Sequence, residues 1–347
     1  SPSEYTINAA FFQGVLHRRP LFRPHLIPRA ICAIVLYIDT TAYDFNACLR
    51  RFMRNYQIIS DSACDLPQAL ARRYRIRIIP FYVSFNQKTY LKEQEEIGIP
   101  EFYSILNEGR IIPKTSLPSV QDYIDRFERC LARDEDILCF CITSKFSGSY
   151  QSAVNARDIV LEDHPEARIE VLDTSLVTAT QGLLAMEAAK MREAGYTLDE
   201  VLERMPDLIE SARIMFTVDT LEYLQKGGRI DKVTALAGSM LNLKPMIVVR
   251  EGELMPYGNV RGRKKSLKKE IEMVEEYFRE NHLSYDDYEF CVDCTDFDSP
   301  DVTYVKDKLE KLIDRKLDLP LFHVGVTIGT YTGPNTVGCC FIRKFTR

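Results

Sequence analysis

The chain has no long apolar run. No segment reaches the roughly 18–20 consecutive apolar residues that cross a bilayer as a helix, and the nearest, Ala30 to Ile38, is far shorter. No transmembrane segment is therefore expected. Positive charge is not in excess either: the net charge is −5. A dedicated nucleic-acid binder would carry a basic stripe or a high pI, so no nucleic-acid partner is expected. Histidine is scarce, with five in 347 residues. The one CxxC, Cys291-Val292-Asp293-Cys294, has no second CxxC and no histidine at ligand spacing, which argues against zinc. Neither a Walker loop nor a kinase signature occurs. No metal or other cofactor is expected.

What is present is ordinary for a globular protein: 46% hydrophobic and 27% charged residues over a length sufficient for two domains. The ten cysteines are scattered. Cys139 and Cys141, and Cys339 and Cys340, lie in apolar strand-like runs, so they read as buried reduced thiols. That usage points to a reducing, cytoplasmic compartment.

Residues 1–52 differ from the rest, holding six arginines, no lysine, three acidic residues and four prolines, with poor periodicity. They read as an upstream extension of doubtful function, with the functional protein starting at Met53. From there the pattern is regular. A strand over Tyr56–Ser60 runs into the turn Asp61-Ser62-Ala63-Cys64-Asp65-Leu66-Pro67 and a helix to about Tyr74. Asp65 reads as a turn and cap residue. Ser62 reads as the border of a ligand cleft, because open α/β sheets bind ligands beyond the carboxyl ends of their strands. Ile76–Phe85 reads as a strand bent by Pro80. Pro113-Lys114-Thr115-Ser116-Leu117-Pro118-Ser119 reads as a loop, with Ser119 capping a helix through Leu131.

A strand over Asp136–Ile142 leads into the hydroxyl-rich turn Thr143-Ser144-Lys145-Phe146-Ser147-Gly148-Ser149 and a helix from about Tyr150. Unpaired N–H groups and the helix dipole make such a start a ready anion site. A strand over Arg168–Asp173, a helix carrying Gln181-Gly182 and a helix over Thr197–Ser211 complete a β-α-β-α-β-α-β-α order. That order predicts an α/β fold whose first domain, residues 53–213, is a doubly wound parallel sheet. Residues 214–347 read as a second α/β domain with a mixed sheet. Its elements are a strand from Ile214, helices over Leu221–Gln225 and Thr234–Leu241, and a strand pair around Glu251-Gly252. A charged helix over Gly262–Glu280, a strand over Tyr288–Cys294 and a helix over Asp301–Asp314 follow. Strands over Leu321–Val326 and Val337–Phe345 end it.

The most specific stretch is the start of that second domain. Asp219-Thr220-Leu221-Glu222-Tyr223-Leu224 is followed by Gly227-Gly228-Arg229-Ile230, then Leu241-Asn242-Leu243-Lys244-Pro245-Met246, then Val260-Arg261. The double glycine is expected to end the helix through positive φ. It leaves Arg229 free to aim its guanidinium at a carboxylate or phosphate. Arg261, Arg263, Lys264, Lys265, Lys268 and Lys269 form a basic cluster at the next helix start.

These runs resemble the signature of the DegV family of bacterial fatty-acid-binding proteins. Thr115-Ser116-Leu117-Pro118-Ser119, the Ser144 to Ala153 segment and Gly329-Thr330-Tyr331-Thr332-Gly333-Pro334-Asn335 resemble its other motifs in the right order. The resemblance covers about 295 residues and implies a lipid site between the two domains. It implies that Thr115 and Ser147 hold the carboxylate, with Ser116, Gly148 and Arg229 beside them. It also implies that Arg261 contacts a partner or the site. Tyr331 stands where the family has a histidine, and Asn335 where it has a glycine; Asn tolerates positive φ. The implied function is that of a carrier that binds a long-chain fatty acid and presents it to a separate fatty acid kinase for phospholipid synthesis. The protein would not itself be an enzyme.

The chemistry is consistent. About 15 CH₂ groups at roughly 0.8 kcal/mol each give about 12 kcal/mol of gross burial energy before association costs. An ionised carboxylate taken out of water needs donors, which two hydroxyl-bearing loops supply. Two other readings stay open: a lipid sensor or buffer without a kinase partner, and a small-molecule kinase-like enzyme of related fold.

Overall fold

The computed structural model describes residues 55–108, 111–236 and 242–346, and Met53–Arg347 form one compact unit. The expected extension over residues 1–52, and the end of the expected helix Thr234–Leu241, lie outside the described residues. The part of that helix that is described is a 3₁₀ turn, Asp231–Leu236.

Strand β1 (Tyr56–Asp61) leads through a 3₁₀ turn to helix α1 (Gln68–Arg73) and strand β2 (Ile76–Ile79). The strand expected over Ile76–Phe85 is in fact two. Pro80 has no N–H for a ladder, and the Phe81 N–H donates to Ser62 Oγ at 2.9 Å instead. Strand β3 (Tyr82–Ser84) therefore joins a different sheet, with β4 (Leu91–Lys92) and, after helix α2 (Ile99–Asn107), β5 (Lys114–Ser116). Thr115, expected in a loop, is the middle residue of β5, opposite Val83.

Helix α3 (Val120–Leu131) starts at a capping box made by Ser119 and Asp122, as the Ser119 reading anticipates. Strand β6 (Asp136–Cys141), helix α4 (Ser149–Asp163) and strand β7 (Ile169–Asp173) follow. The first sheet has the order β2-β1-β6-β7, all parallel. Both of its faces are covered, which is why β1 and β6 are buried along their whole length. Alternate residues serve opposite cores. Ile59, Ile137 and Cys139 pack with Tyr123 and Phe127 of α3 and Ala153 of α4. Ile58, Leu138 and Phe140 pack with helix α5 (Thr178–Glu193). Gly182 of α5 is where the backbones close: a Cβ there would lie 2.6 Å from the Cys64 carbonyl oxygen. The helix expected over Thr197–Ser211 is two helices, α6 (Leu198–Leu202) and α7 (Met205–Ser211). Pro206 sits in the first turn of α7, where no N–H is needed.

The remaining elements are β8 (Arg213–Thr217), α8 (Glu222–Lys226), β9 (Leu243–Arg250), β10 (Glu253–Arg261), α9 (Arg263–Glu280), β11 (Tyr288–Cys294), α10 (Pro300–Leu312), β12 (Phe322–His323), α11 (Val326–Thr332) and β13 (Val337–Arg343). Their sheet is mixed, with the order β10-β9-β8-β13-β11-β12. Glu251 and Gly252, both at positive φ, make the tight hairpin between β9 and β10. The strand expected over Leu321–Val326 is two residues long. The chain turns at Gly325 into α11, because buried Glu93 accepts the first N–H groups of that helix, from Val326 and Thr327. Helix α5 is buried nearly all round and shares one core with strands of both sheets, including Ile214, Phe216 and Cys340.

Candidate functional site

Beside that shared core lies a cavity of about 260 Å³. Phe81, Ile142 and Val177 line it from the parallel side, and Ile214, Phe216 and Val249 from the mixed sheet. Thr115, Ser116, Ser147, Gly148, Arg229 and Tyr331 also line it. Six residues singled out in the sequence are thus brought to one cavity.

The turn that carries Ser147 is held from below by Asp61. This buried carboxylate accepts from the Ile142 N–H at 2.9 Å and from the Ser149 hydroxyl at 2.7 Å, while Gln181 donates to its other oxygen. Burial pushes the Asp61 carboxyl up to about 6, against the pull of those hydrogen bonds. Ser147 Oγ accepts from the Ser149 N–H at 3.1 Å, so its own proton is free to be donated.

Thr115 reaches the same place from β5. Its hydroxyl pairs with Tyr331 Oη at 2.7 Å. When Tyr331 donates, the Thr115 proton is free as well. The Tyr331 ring lies under the Arg229 guanidinium, 5.2 Å away. Arg229 donates through Nε and Nη2 to the Phe146 carbonyl, and through Nη1 to that of Gly227. The fork expected to be free for an anion instead grips the backbone beside Ser147. A chain of contacts therefore runs from Thr115 through Tyr331 and Arg229 to the Ser147 turn. The two loops also touch directly. Ser152 Oγ donates to the Pro118 carbonyl at 2.9 Å, and a Cβ on Gly148 would lie 3.2 Å from Leu117.

Gly227 and Gly228 do different jobs from those expected. Gly228 has φ +69, but Gly227 is helical with φ −77. Gly227 is small because a Cβ would lie 2.3 Å from the Tyr331 ring. Asn335 has φ +62, in line with its replacing a glycine.

Two singled-out residues lie elsewhere. Ser62 is buried and does not line the cavity, since its hydroxyl donates to Glu93 at 2.6 Å and accepts from Phe81. Arg261 is exposed at the end of β10. Asp65, read as a turn cap, is buried at φ +48 and accepts from the Thr178 hydroxyl.

The sequence reading missed Thr178 and Asp293, which also line the cavity. Asp293 shares the Thr178 hydroxyl with Asp65. Burial pushes Asp293 up to about 7. Burial, and then the neighbouring Asp293 and Glu93 charges, raise Asp65. The one signal for Asp293 was a charge inside an apolar strand run. The tyrosine motif was read without its helix, because α11, with its glycine and threonines, has little apolar periodicity.

The fold and the cavity define an α/β protein with a mostly apolar cavity lined by residues beside its parallel sheet, in its mixed sheet and in the small third sheet. The model of the DegV family, an uncharacterised protein family, matches residues 55–344, and the chain belongs to that family. A DegV domain-containing protein of Caldanaerobacter subterraneus is 32% identical over 295 residues, 84% of this chain and 100% of that one. Among solved structures, a stearic-acid-binding protein from Eubacterium ventriosum is similar with a TM-score of 0.79 and 36% identity, over 83% of this chain and 98% of the other. A fatty-acid-binding DegV family protein from Thermus thermophilus has a TM-score of 0.73 and 29% identity, over 83% and 99% of the two chains.

Proposed function

We propose that this chain binds one long-chain fatty acid, with its carboxylate at Thr115 and Ser147 and its tail in the cavity. The observation that carries this is that Thr115 and Ser147, whose hydroxyls have protons to donate, line one mostly apolar cavity. A carboxylate accepts hydrogen bonds only, and charge-assisted bonds are the strong kind. The apolar lining gives the tail the transfer energy that drives its burial. The similarity to a stearic-acid-binding protein supports the same ligand class. In this reading Arg229 and Tyr331 hold the two loops together, and the positive guanidinium favours the ionised head. Ser116 and Gly148 border the head group. The site binds and does not catalyse.

The finer reading is a carrier that presents the head group to a separate fatty acid kinase, with exposed Arg261 contacting that partner. Tyr331, which stands at the family's histidine position, favours a second reading as a lipid buffer with no kinase. Capture of an ATP-dependent kinase by the loaded protein, lost in Arg261→Glu, would support the carrier. Absence of capture would leave the buffer.

The head-group assignment is tested by Thr115→Ala combined with Ser147→Ala. Fatty-acid affinity should fall roughly 100-fold, since two charge-assisted bonds are lost, with thermal unfolding little changed. Undiminished affinity would place the carboxylate elsewhere.

A further inference from the structure

The cavity lining holds a second polar feature besides the hydroxyls of Thr115 and Ser147. Asp293 lines it and is 1% exposed. One of its oxygens contacts the Thr178 hydroxyl. The other, Oδ1, has no hydrogen-bond partner among the described residues. The backbone N–H groups of Ala179 and Cys294 lie near this carboxyl and oppose the effect of burial, but neither bonds Oδ1 in good geometry. A buried acceptor left unpaired is costly, and the residue that carries this one lines the cavity.

The surroundings hold Asp293 in place. Thr178 sits at φ +50, a conformation that a β-branched residue adopts only when its environment dictates it. Its single hydroxyl lies between Asp65 and Asp293. A hydroxyl has one proton, so it donates to one carboxylate; the close contact with the other requires a proton on that carboxyl. No basic side chain pairs with Asp65, Glu93 or Asp293 among the described residues. The pair therefore holds one proton, engaged at Thr178, and Asp293 Oδ1 is left as an acceptor. A ligand carboxylate is disfavoured beside it by like charge. A ligand hydroxyl, which is neutral and can donate to Oδ1, is the matching chemistry.

We propose that Asp293 recognises a hydroxyl group carried on the acyl chain, so that this cavity prefers a hydroxylated long-chain fatty acid to the plain acid of the same length. This rests on the fatty-acid reading above. It adds a second fixed point, which sets the direction of the chain as well as its class.

The experiment is calorimetric titration of the wild-type protein with stearic acid and with a panel of hydroxystearic acids that differ in hydroxyl position. At least one isomer should bind about tenfold more tightly than stearic acid, the effect of one hydrogen bond to a buried charged group. In Asp293→Leu that isomer should bind no more tightly than stearic acid. The proposal is overturned if every isomer binds no better than stearic acid, as expected if Asp293 holds an ordered water alone. It is equally overturned if the preference survives in Asp293→Leu. Should that variant fail to fold, the wild-type panel decides by itself. Stearic acid binding with no hydroxyl preference sinks this inference alone. Failure to bind any acid sinks it together with the fatty-acid reading.

Discussion

The cavity has two polar walls built on opposite plans. At Thr115, Ser147, Tyr331 and Arg229 each protein group has a partner, and two protons are left over to give away. At Thr178 and Asp293, which line the cavity, and at Asp65, which does not, the proton supply is short: one hydroxyl serves two carboxyls, and Asp65 Oδ1 and Asp293 Oδ1 have no partner among the described residues. A surplus of donors suits an anion, and a deficit suits a neutral group with a proton to share. Apolar residues from the parallel side and from the mixed sheet line the same cavity. Substitutions at each wall should therefore act on different properties.

The largest effect belongs to the donor wall, where the Thr115→Ala and Ser147→Ala pair should remove most of the fatty-acid affinity. Next is Asp65→Ala, which leaves the Thr178 and Asp293 arrangement broken in the core. It should cost about 1–3 kcal/mol of stability in denaturant unfolding. An unchanged midpoint would mean that the two walls are not built differently.

The third test is pH. Burial raises the Asp293 carboxyl from 3.8 to about 7, so the folded state binds its proton more tightly than the unfolded state. That stabilisation is complete below about pH 4 and is lost as the pH rises through 7. Asp65 shifts in the same direction. The urea midpoint of the wild type should fall over this range more than that of Asp293→Asn. Parallel curves would show that Asp293 is not held protonated. The smallest effect is that of Tyr331→Phe, which keeps the ring under Arg229 but removes the hydroxyl from Thr115. Affinity should fall only a few-fold, roughly 0.5–1.5 kcal/mol, measured by the same titration.

The same contrast explains what could be read in the chain. The Ser147 turn is local: a strand, a hydroxyl-rich glycine turn and a helix start are contiguous, and they fold as expected. Ser119 was legible for the same reason, because a cap and its Asp122 partner lie within one turn. Thr115 was found through a motif, but not its setting, since β5 exists only by pairing with β3. From the sequence, Arg229 reads as a guanidinium free to be aimed at an anion and Gly227 as part of a helix stop. Their jobs depend on Phe146 and on the Tyr331 ring, which come from distant parts of the chain. Asp293 was hidden further still. Its neighbours Thr178 and Asp65 are more than 100 residues away, and periodicity carries no trace of such contacts.

The proposed binding mode places an acyl chain in the cavity with its acid head at the hydroxyls of Thr115 and Ser147. Native mass spectrometry of freshly purified protein tests it most directly. The expected result is a mass increase equal to one fatty acid, absent from the Thr115→Ala and Ser147→Ala protein. A wild-type mass without ligand, unchanged after incubation with stearic acid, would contradict it.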